Sequence, residues 1–268
     1  MGYGQVSEYL EIRNLSQRFS FNNEETLVFH DVSFTLGKGS FLCILGRSGC
    51  GKTTLLRCLA GFLKPSEGDI LIEGVPVTNP GRHCAMVFQT FDQLLPWKTV
   101  LGNVVYPLLI NKLASQTKEQ AIEVAREYLS MVGLSSNLDY YPHQLSGGMK
   151  QRVAIARALA MQPSLILMDE PFASLDADTR TLLQRELLQI WKASGATVLF
   201  VTHSIIEAIG LSNKMLVMGD NSESIRLFMD NPVEGEPGVL RTPQSPGYPE
   251  CWTLLSETIR SNNDDDGE

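Results

Sequence analysis

The stretch Gly46-Arg47-Ser48-Gly49-Cys50-Gly51-Lys52-Thr53 constrains this chain more than any other. It fits G-x-x-x-x-G-K-[ST]. SFLCIL precedes it, a short unbroken apolar run of the kind that is buried on both faces of a parallel sheet. TTLLRCLAGF follows it with a helical pattern that closes near Gly61 and Pro65. Strand, glycine-rich turn and helix N-terminus in that order make an anion site. The glycines let backbone N–H groups converge on phosphate oxygens with no Cβ in the way. The helix aims the positive end of its dipole at the same charge. Residues 46–53, together with Thr54, are therefore expected to cradle a nucleoside triphosphate. Lys52 would reach the β- and γ-phosphates, and Thr53 would offer its hydroxyl to Mg²⁺.

A second element lies far downstream. Leu165-Ile166-Leu167-Met168-Asp169-Glu170 is an apolar strand ending in two acids. By itself this pattern is commonplace and fits a solvated turn. The carboxyl end of a strand is, however, where open α/β sheets bind ligands. With a phosphate loop upstream, Asp169 is expected to hold Mg²⁺ and Glu170 to polarise the attacking water as general base.

Around these two elements the chain reads as α/β. LEIRNLSQRF and FHDVSFTL suggest antiparallel strands near the N-terminus, and GDILIEGVPV a hairpin or edge strand. CAMVFQ and ATVLFVTH are further buried strands. From about residue 90 to 160 the pattern turns helical, and this stretch is expected to be a subdomain inserted between two core strands. Within it, Thr117 with Gln120 forms a capping box, Gly133 closes the helix, and GGMKQRVAIARALAMQ is a second helix. Asp178 is expected to cap a helix with an apolar stripe of Leu183, Leu187, Ile190 and Trp191. KMLVMGD and SIRLFMD read as peripheral strands. Beyond Asn231, five prolines and several glycines predict an irregular extension over 231–268, with a disordered acidic end, SNNDDDGE.

Leu145-Ser146-Gly147-Gly148-Met149-Lys150-Gln151-Arg152 resembles the signature motif of ATP-binding cassette proteins. The order phosphate loop, Gln89, LSGGMKQR, LMDEP, SLD, His203 is similar to that family's, over roughly residues 8–230. The resemblance implies a P-loop NTPase core of RecA-like type with a mostly parallel sheet, an N-terminal antiparallel β-subdomain and an inserted α-helical subdomain. It also implies roles. Ser146, Gly147 and Gly148 would present a helix N-terminus to the γ-phosphate of ATP held on a partner subunit, and Asp176, in Ser174-Leu175-Asp176, would cross the same interface. Gln89 would sense Mg²⁺ and the attacking water. His203 would contact the γ-phosphate, although a histidine ending a strand is otherwise an ordinary loop residue. Phe19 matches the aromatic that stacks on adenine, where tyrosine is more usual, and Phe21 is its rival. A metal site built on His203 and Glu207 is not expected, because no other His or Cys lies nearby in sequence. None of the motifs is degenerate, so an active ATPase is expected.

The family works as head-to-tail dimers, which implies a partner that is either a second copy or a paralogue. No stretch is long enough to span a bilayer, which takes about 20 apolar residues. The apolar stretch 99–111, bounded by Lys98 and Lys112, contains Pro107. The transport path must then lie in a separate transmembrane permease, with residues 89–107 as the contact. The five cysteines, odd in number and without a CxxC, favour a reducing compartment. The N-terminus has no apolar region of signal-peptide type. The cytoplasmic face of the cell membrane is the expected location. A net charge of −8 disfavours a nucleic-acid partner. The stretch NPGRHCAMVFQTFDQLLPWKTVLGNV is similar to importer subunits for nitrate, sulfonate, taurine and bicarbonate, which work with a solute-binding protein. An exporter or lipid-handling motor, or a soluble cassette ATPase, stays open as an alternative.

Overall fold

The computed structural model describes residues 8–21, 24–90, 93–110, 117–219 and 223–260. In chain order the elements are β1 (Glu8–Phe21), β2 (Glu24–Gly37), β3 (Phe41–Leu45), α1 (Lys52–Leu59), β4 (Glu67–Ile72), β5 (Val75–Pro76), β6 (Cys84–Val87), α2 (Val100–Ile110) and α3 (Lys118–Met131). They continue with α4 (Gly147–Ala160), β7 (Leu165–Asp169), α5 (Ala177–Ser194), β8 (Thr197–Val201), α6 (Ile205–Leu211), β9 (Lys214–Met218), β10 (Ile225–Asp230) and α7 (Tyr248–Arg260). The chain forms two compact units, residues 1–81 with 197–268, and residues 82–196.

The first unit holds an antiparallel sheet in the order β2-β1-β4-β5. Leu10 faces Leu36 on one side and Ile72 on the other; Ile12 faces Phe34 and Ile70. All six side chains are buried, so period-2 alternation sets the register. The same unit carries a parallel group. β3 lies between β8 and β9, paired in parallel with both, and β10 runs antiparallel on β9. Every residue of β3 and β8 is buried, which is what an unbroken apolar run dictates for a strand covered on both faces.

Two expectations fail here. β9 is not peripheral. It pairs directly with β3, and its residues from Met215 to Met218 are buried. The extension after Asn231 is not irregular throughout, because it contains α7, which packs on α6 and β9. Tyr248, Cys251 and Leu255, spaced by three and four residues, are its buried stripe. Pro249 sits in the first turn, where a missing N–H costs nothing. The acidic end SNNDDDGE lies outside the described residues.

In the second unit β6 and β7 pair in parallel, with Val87 opposite Met168. Helices α2, α3 and α4 pack on one another. Thr117 and Gln120 form the expected capping box at the start of α3, and Gly133 follows its end with φ 69°. Helix α5 is capped by Asp176 and not by Asp178, since the Asp176 carboxylate accepts from Thr179 N at 2.9 Å. Its buried stripe is Leu183, Leu187, Leu188 and Trp191; Ile190 is half-buried.

Candidate active site

In the first unit the turn between β3 and α1 is built around glycine. A Cβ on Gly46 would stand 2.7 Å from Cys50 Sγ and 2.8 Å from the Met218 carbonyl, so no side chain fits. Gly51 caps α1 at φ 96°, a conformation L-residues avoid. Lys52 is buried and folds back over the turn, where Nζ donates to the carbonyls of Gly46 at 2.7 Å and Arg47 at 2.8 Å. Arg47, Ser48 and Gly49 are exposed, while Thr53 and Thr54 are half-buried in the first turn of α1. The loop thus gathers an exposed glycine-rich turn at a helix N-terminus, with one ammonium folded back against its carbonyls, the arrangement of an anion site. Cys50 is held at 3.9 Å from Lys52 Nζ. Burial pushes its thiol above the ordinary range, and the neighbouring ammonium opposes that only in part.

β8 runs parallel to β3, with Val201 opposite Ile44, so His203 follows the same carboxyl edge that leads into the phosphate loop. His203 is exposed. The backbone on either side of it is pinned. Thr202 N donates to Ile44 O at 3.1 Å, and the Thr202 hydroxyl donates to the buried Glu207 carboxylate and accepts from Ser204 N at 3.0 Å. Glu207 is therefore engaged in ordering this turn, a use its position in the sequence did not announce. Phe19 stands on β1 opposite Thr26 and is 45% exposed, a ring face available for stacking. Phe21 ends β1.

In the second unit Asp169 closes β7 and is 3% exposed. Glu170 follows it, half-buried, at φ 45°. A non-glycine residue in the left-handed region is uncommon, and such strain collects at functional positions. Gln89, exposed just beyond β6, donates through Nε2 to Glu170 Oε2 at 3.1 Å. The parallel pairing of β6 with β7 brings these residues to one sheet edge. Ser146 caps α4, its Oγ accepting from Met149 N at 3.3 Å, and Gly147 and Gly148 form the first turn. A Cβ on Gly148 would press on Leu175 at 3.1 Å. Asp176 is exposed, and the N–H of Thr179 holds its carboxyl below the usual range.

Residues 29–173 match the model of the ABC transporter family. The chain belongs to the ABC transporter family. A bicarbonate transport ATP-binding protein of Synechocystis is 42% identical, the match covering 80% of this chain and 75% of that protein. A taurine import ATP-binding protein of Yersinia pestis is 45% identical over 77% of this chain and 82% of its own length. Among solved structures, a dimeric ATP-binding cassette in a post-hydrolysis state with ADP and phosphate superposes with a TM-score of 0.76 at 30% identity, over 85% of this chain and all of that one. The chain is thus an ABC-type ATPase with the P-loop α/β fold read from its sequence.

Mg²⁺ takes oxygen ligands, commonly one or two carboxylates plus substrate phosphates and waters. The Asp169 carboxylate and Thr53 hydroxyl are donors of that type, and among the described residues no group of three or more His, Cys, Asp or Glu forms a denser cage. Sequence reading missed three polar groups of this ATPase that turn out to be buried or bonded within the second unit, Gln93, Asn103 and Gln151. The available signal was polarity inside otherwise apolar runs.

Proposed function

We propose that this ABC ATPase is the motor subunit of an importer, peripheral at the cytoplasmic face of the membrane, driving a separate permease. Among the described residues no helix is long and apolar enough to cross a membrane. The observation that carries the permease reading is a groove of about 300 Å³ in the second unit, lined by Cys84, Met86, Leu95, Tyr106, Pro107, Arg157 and Met161. Of its lining Tyr106 is 41% exposed, with Lys98 Nζ 4.8 Å above the ring, and Trp97, two residues beyond the lining Leu95, is 70% exposed. Aromatic side chains beside an apolar groove are the composition of a helix-docking surface. Leu94, by contrast, is buried and serves the unit's own core.

In this reading the phosphate loop, residues 46–54, binds ATP, and Lys52 neutralises its terminal phosphates. Phe19 stacks on adenine. Thr53 and Asp169 would each offer an oxygen to Mg²⁺, which would supply charge neutralisation at the phosphates when bound. Glu170 takes the proton of the attacking water, Gln89 holds Glu170 in place, and His203 contacts the γ-phosphate. Ser146, Gly147 and Gly148 offer the N-terminus of α4 to ATP on a second cassette, identical or paralogous, with Asp176 at the same interface. The relatives' names favour a small anionic solute of the bicarbonate, nitrate, sulfonate and taurine group, delivered by a solute-binding protein.

The test is to tag the chain in its native host, solubilise membranes gently and identify what co-purifies. An integral membrane permease together with a solute-binding protein is the expected result. Recovery of the chain as an active ATPase with no membrane partner would end the transport reading and leave the ATPase standing.

A further inference from the structure

Gln93 bears no known role in the chemistry, yet its amide is tied to the backbone on both sides of Gln89. Its Nε2 donates to Phe88 O at 2.9 Å and to Thr90 O at 3.0 Å, and its Oε1 accepts from Phe88 N at 3.3 Å. The same Nε2 lies 3.3 Å from Oε1 of Gln151, a side chain of α4 that is only 1% exposed and itself donates to Phe88 O at 3.3 Å. The main chain of Gln93 is held in turn, since Arg157 Nη1 donates to Gln93 O at 2.8 Å. Arg157 lines the apolar groove, and burial there lowers its pKa. All of these residues belong to one compact unit.

The consequence follows from the chemistry of amides. A loop residue such as Gln89 keeps its side chain on a partner only if the backbone carrying it is fixed. Here no helix or strand fixes it. Side-chain amides do so: that of Gln93 mimics a missing strand partner by bonding the N–H and C=O of Phe88 and the C=O of Thr90, and that of Gln151 shares the Phe88 C=O. We propose that Gln93 is a positioning residue for hydrolysis: it sets the loop that keeps Gln89 on Glu170, with Gln151 bracing its side chain and Arg157 seating its main chain from the wall of the groove. This rests on the role proposed above for Gln89 and Glu170.

The experiment is a mutant cycle on the purified full chain. Gln93→Leu and the near-isosteric Gln93→Glu both remove the Nε2 donor. Either should lower kcat for ATP at least roughly tenfold, since small displacements of a catalytic group can cost on the order of 10²-fold. KM for ATP should stay near the wild-type value; the melting temperature should fall by what the lost amide bonds supply, and turnover is compared well below it. In a Gln89→Ala background the same changes should cost nothing further, because residues acting as one unit are not additive. Should Gln93→Leu fold poorly, Gln93→Glu carries the test. Three outcomes overturn something specific. Wild-type kcat in Gln93→Glu alongside a slow Gln89→Ala removes the inference and leaves Gln89's role intact. An undiminished further loss in the Gln89→Ala background also removes it, because Gln93 would then act elsewhere. Full turnover in Gln89→Ala itself removes the underlying reading.

Discussion

Gln89 and Glu170 are joined by one hydrogen bond, Nε2 to Oε2 at 3.1 Å, between the loop after β6 and the residue after β7. The parallel pairing of Val87 with Met168 delivers both to the same edge. A carboxylate intended as a base benefits from such a partner. The amide fixes the orientation of the carboxylate. The left-handed backbone at Glu170, φ 45°, adds to the case, because strain of this kind persists only where the surroundings fix it.

Glu170→Gln should therefore bind ATP and hydrolyse it at least ~10²-fold more slowly, the usual size of a general-base contribution. Nucleotide affinity is read by titration with a fluorescent ATP analogue and kcat by phosphate release. A variant retaining most of its turnover would remove Glu170 from the role of base.

Cys50 gives a pH-dependent prediction. Its thiol is partly buried beside Lys52, and burial raises its pKa above the ordinary value. The thiolate is the reactive form. Alkylation should accordingly be slow near neutrality, slower than for an exposed cysteine, and should keep accelerating with pH beyond the range where an exposed thiol levels off. Once attached, the adduct stands in the phosphate loop and should block ATP binding, and ATP should protect. Mass spectrometry against pH and nucleotide follows both. Unimpaired ATPase activity after complete modification of Cys50 would overturn the steric argument.

Local chemistry decides how much of this was legible in the sequence. The phosphate loop and LILMDE read directly, because a buried strand, a set of glycines and a charged residue at fixed offsets leave few alternatives. Helix α7 did not, because five prolines between residues 232 and 249 hide a short apolar stripe, Tyr248, Cys251 and Leu255. The capping residue of α5 was misplaced by two, since Asp176 and Asp178 are both plausible acceptors and only geometry shows which meets Thr179 N. Strand β9 reads as peripheral in sequence, yet the four residues after Lys214 are buried, because its neighbour on the inner side is β3 and sheet order is not written in a single strand. Gln93 and Gln151 were invisible for a different reason. Side-chain amides bonding loop carbonyls follow no periodicity.

Asp176 carries a second pH dependence. The N–H of Thr179 lowers its pKa in the folded chain, so the unfolded state binds its proton more readily. The cap's contribution is thus fully present above the unfolded carboxyl value and is lost as pH falls through the lower folded value. Asp176→Asn keeps an acceptor oxygen for Thr179 N but cannot titrate. The difference in melting temperature between wild type and Asp176→Asn should therefore shrink or reverse as pH drops below about 4. A difference constant from pH 7 to 3 would show that the charge of Asp176 contributes nothing to the cap.

Asn103 tests the wall of the groove. It is fully buried in α2 and makes four bonds, accepting from Leu95 N at 2.8 Å and donating to the carbonyls of Leu95, Lys98 and Thr99. Those bonds hold residues 95–99 in an irregular turn and so fix Leu95 and Trp97 relative to α2. Asn103→Leu replaces the amide at similar volume but takes the partner from the Leu95 N–H and the Lys98 carbonyl, each costing about 1–3 kcal/mol, while the Leu95 and Thr99 carbonyls keep the bonds they accept from Lys98 N and Asn103 N. Partial access to water reduces the sum, and about 2–4 kcal/mol of destabilisation is expected, within the range of a severe single substitution. Denaturant unfolding measures it. Because the turn carries the exposed Trp97, its fluorescence should also shift toward that of a mobile, solvated indole before global unfolding. Wild-type stability in Asn103→Leu would mean that the turn holds itself, and the groove wall would then owe its shape to the packing of Leu94 and Val100 alone.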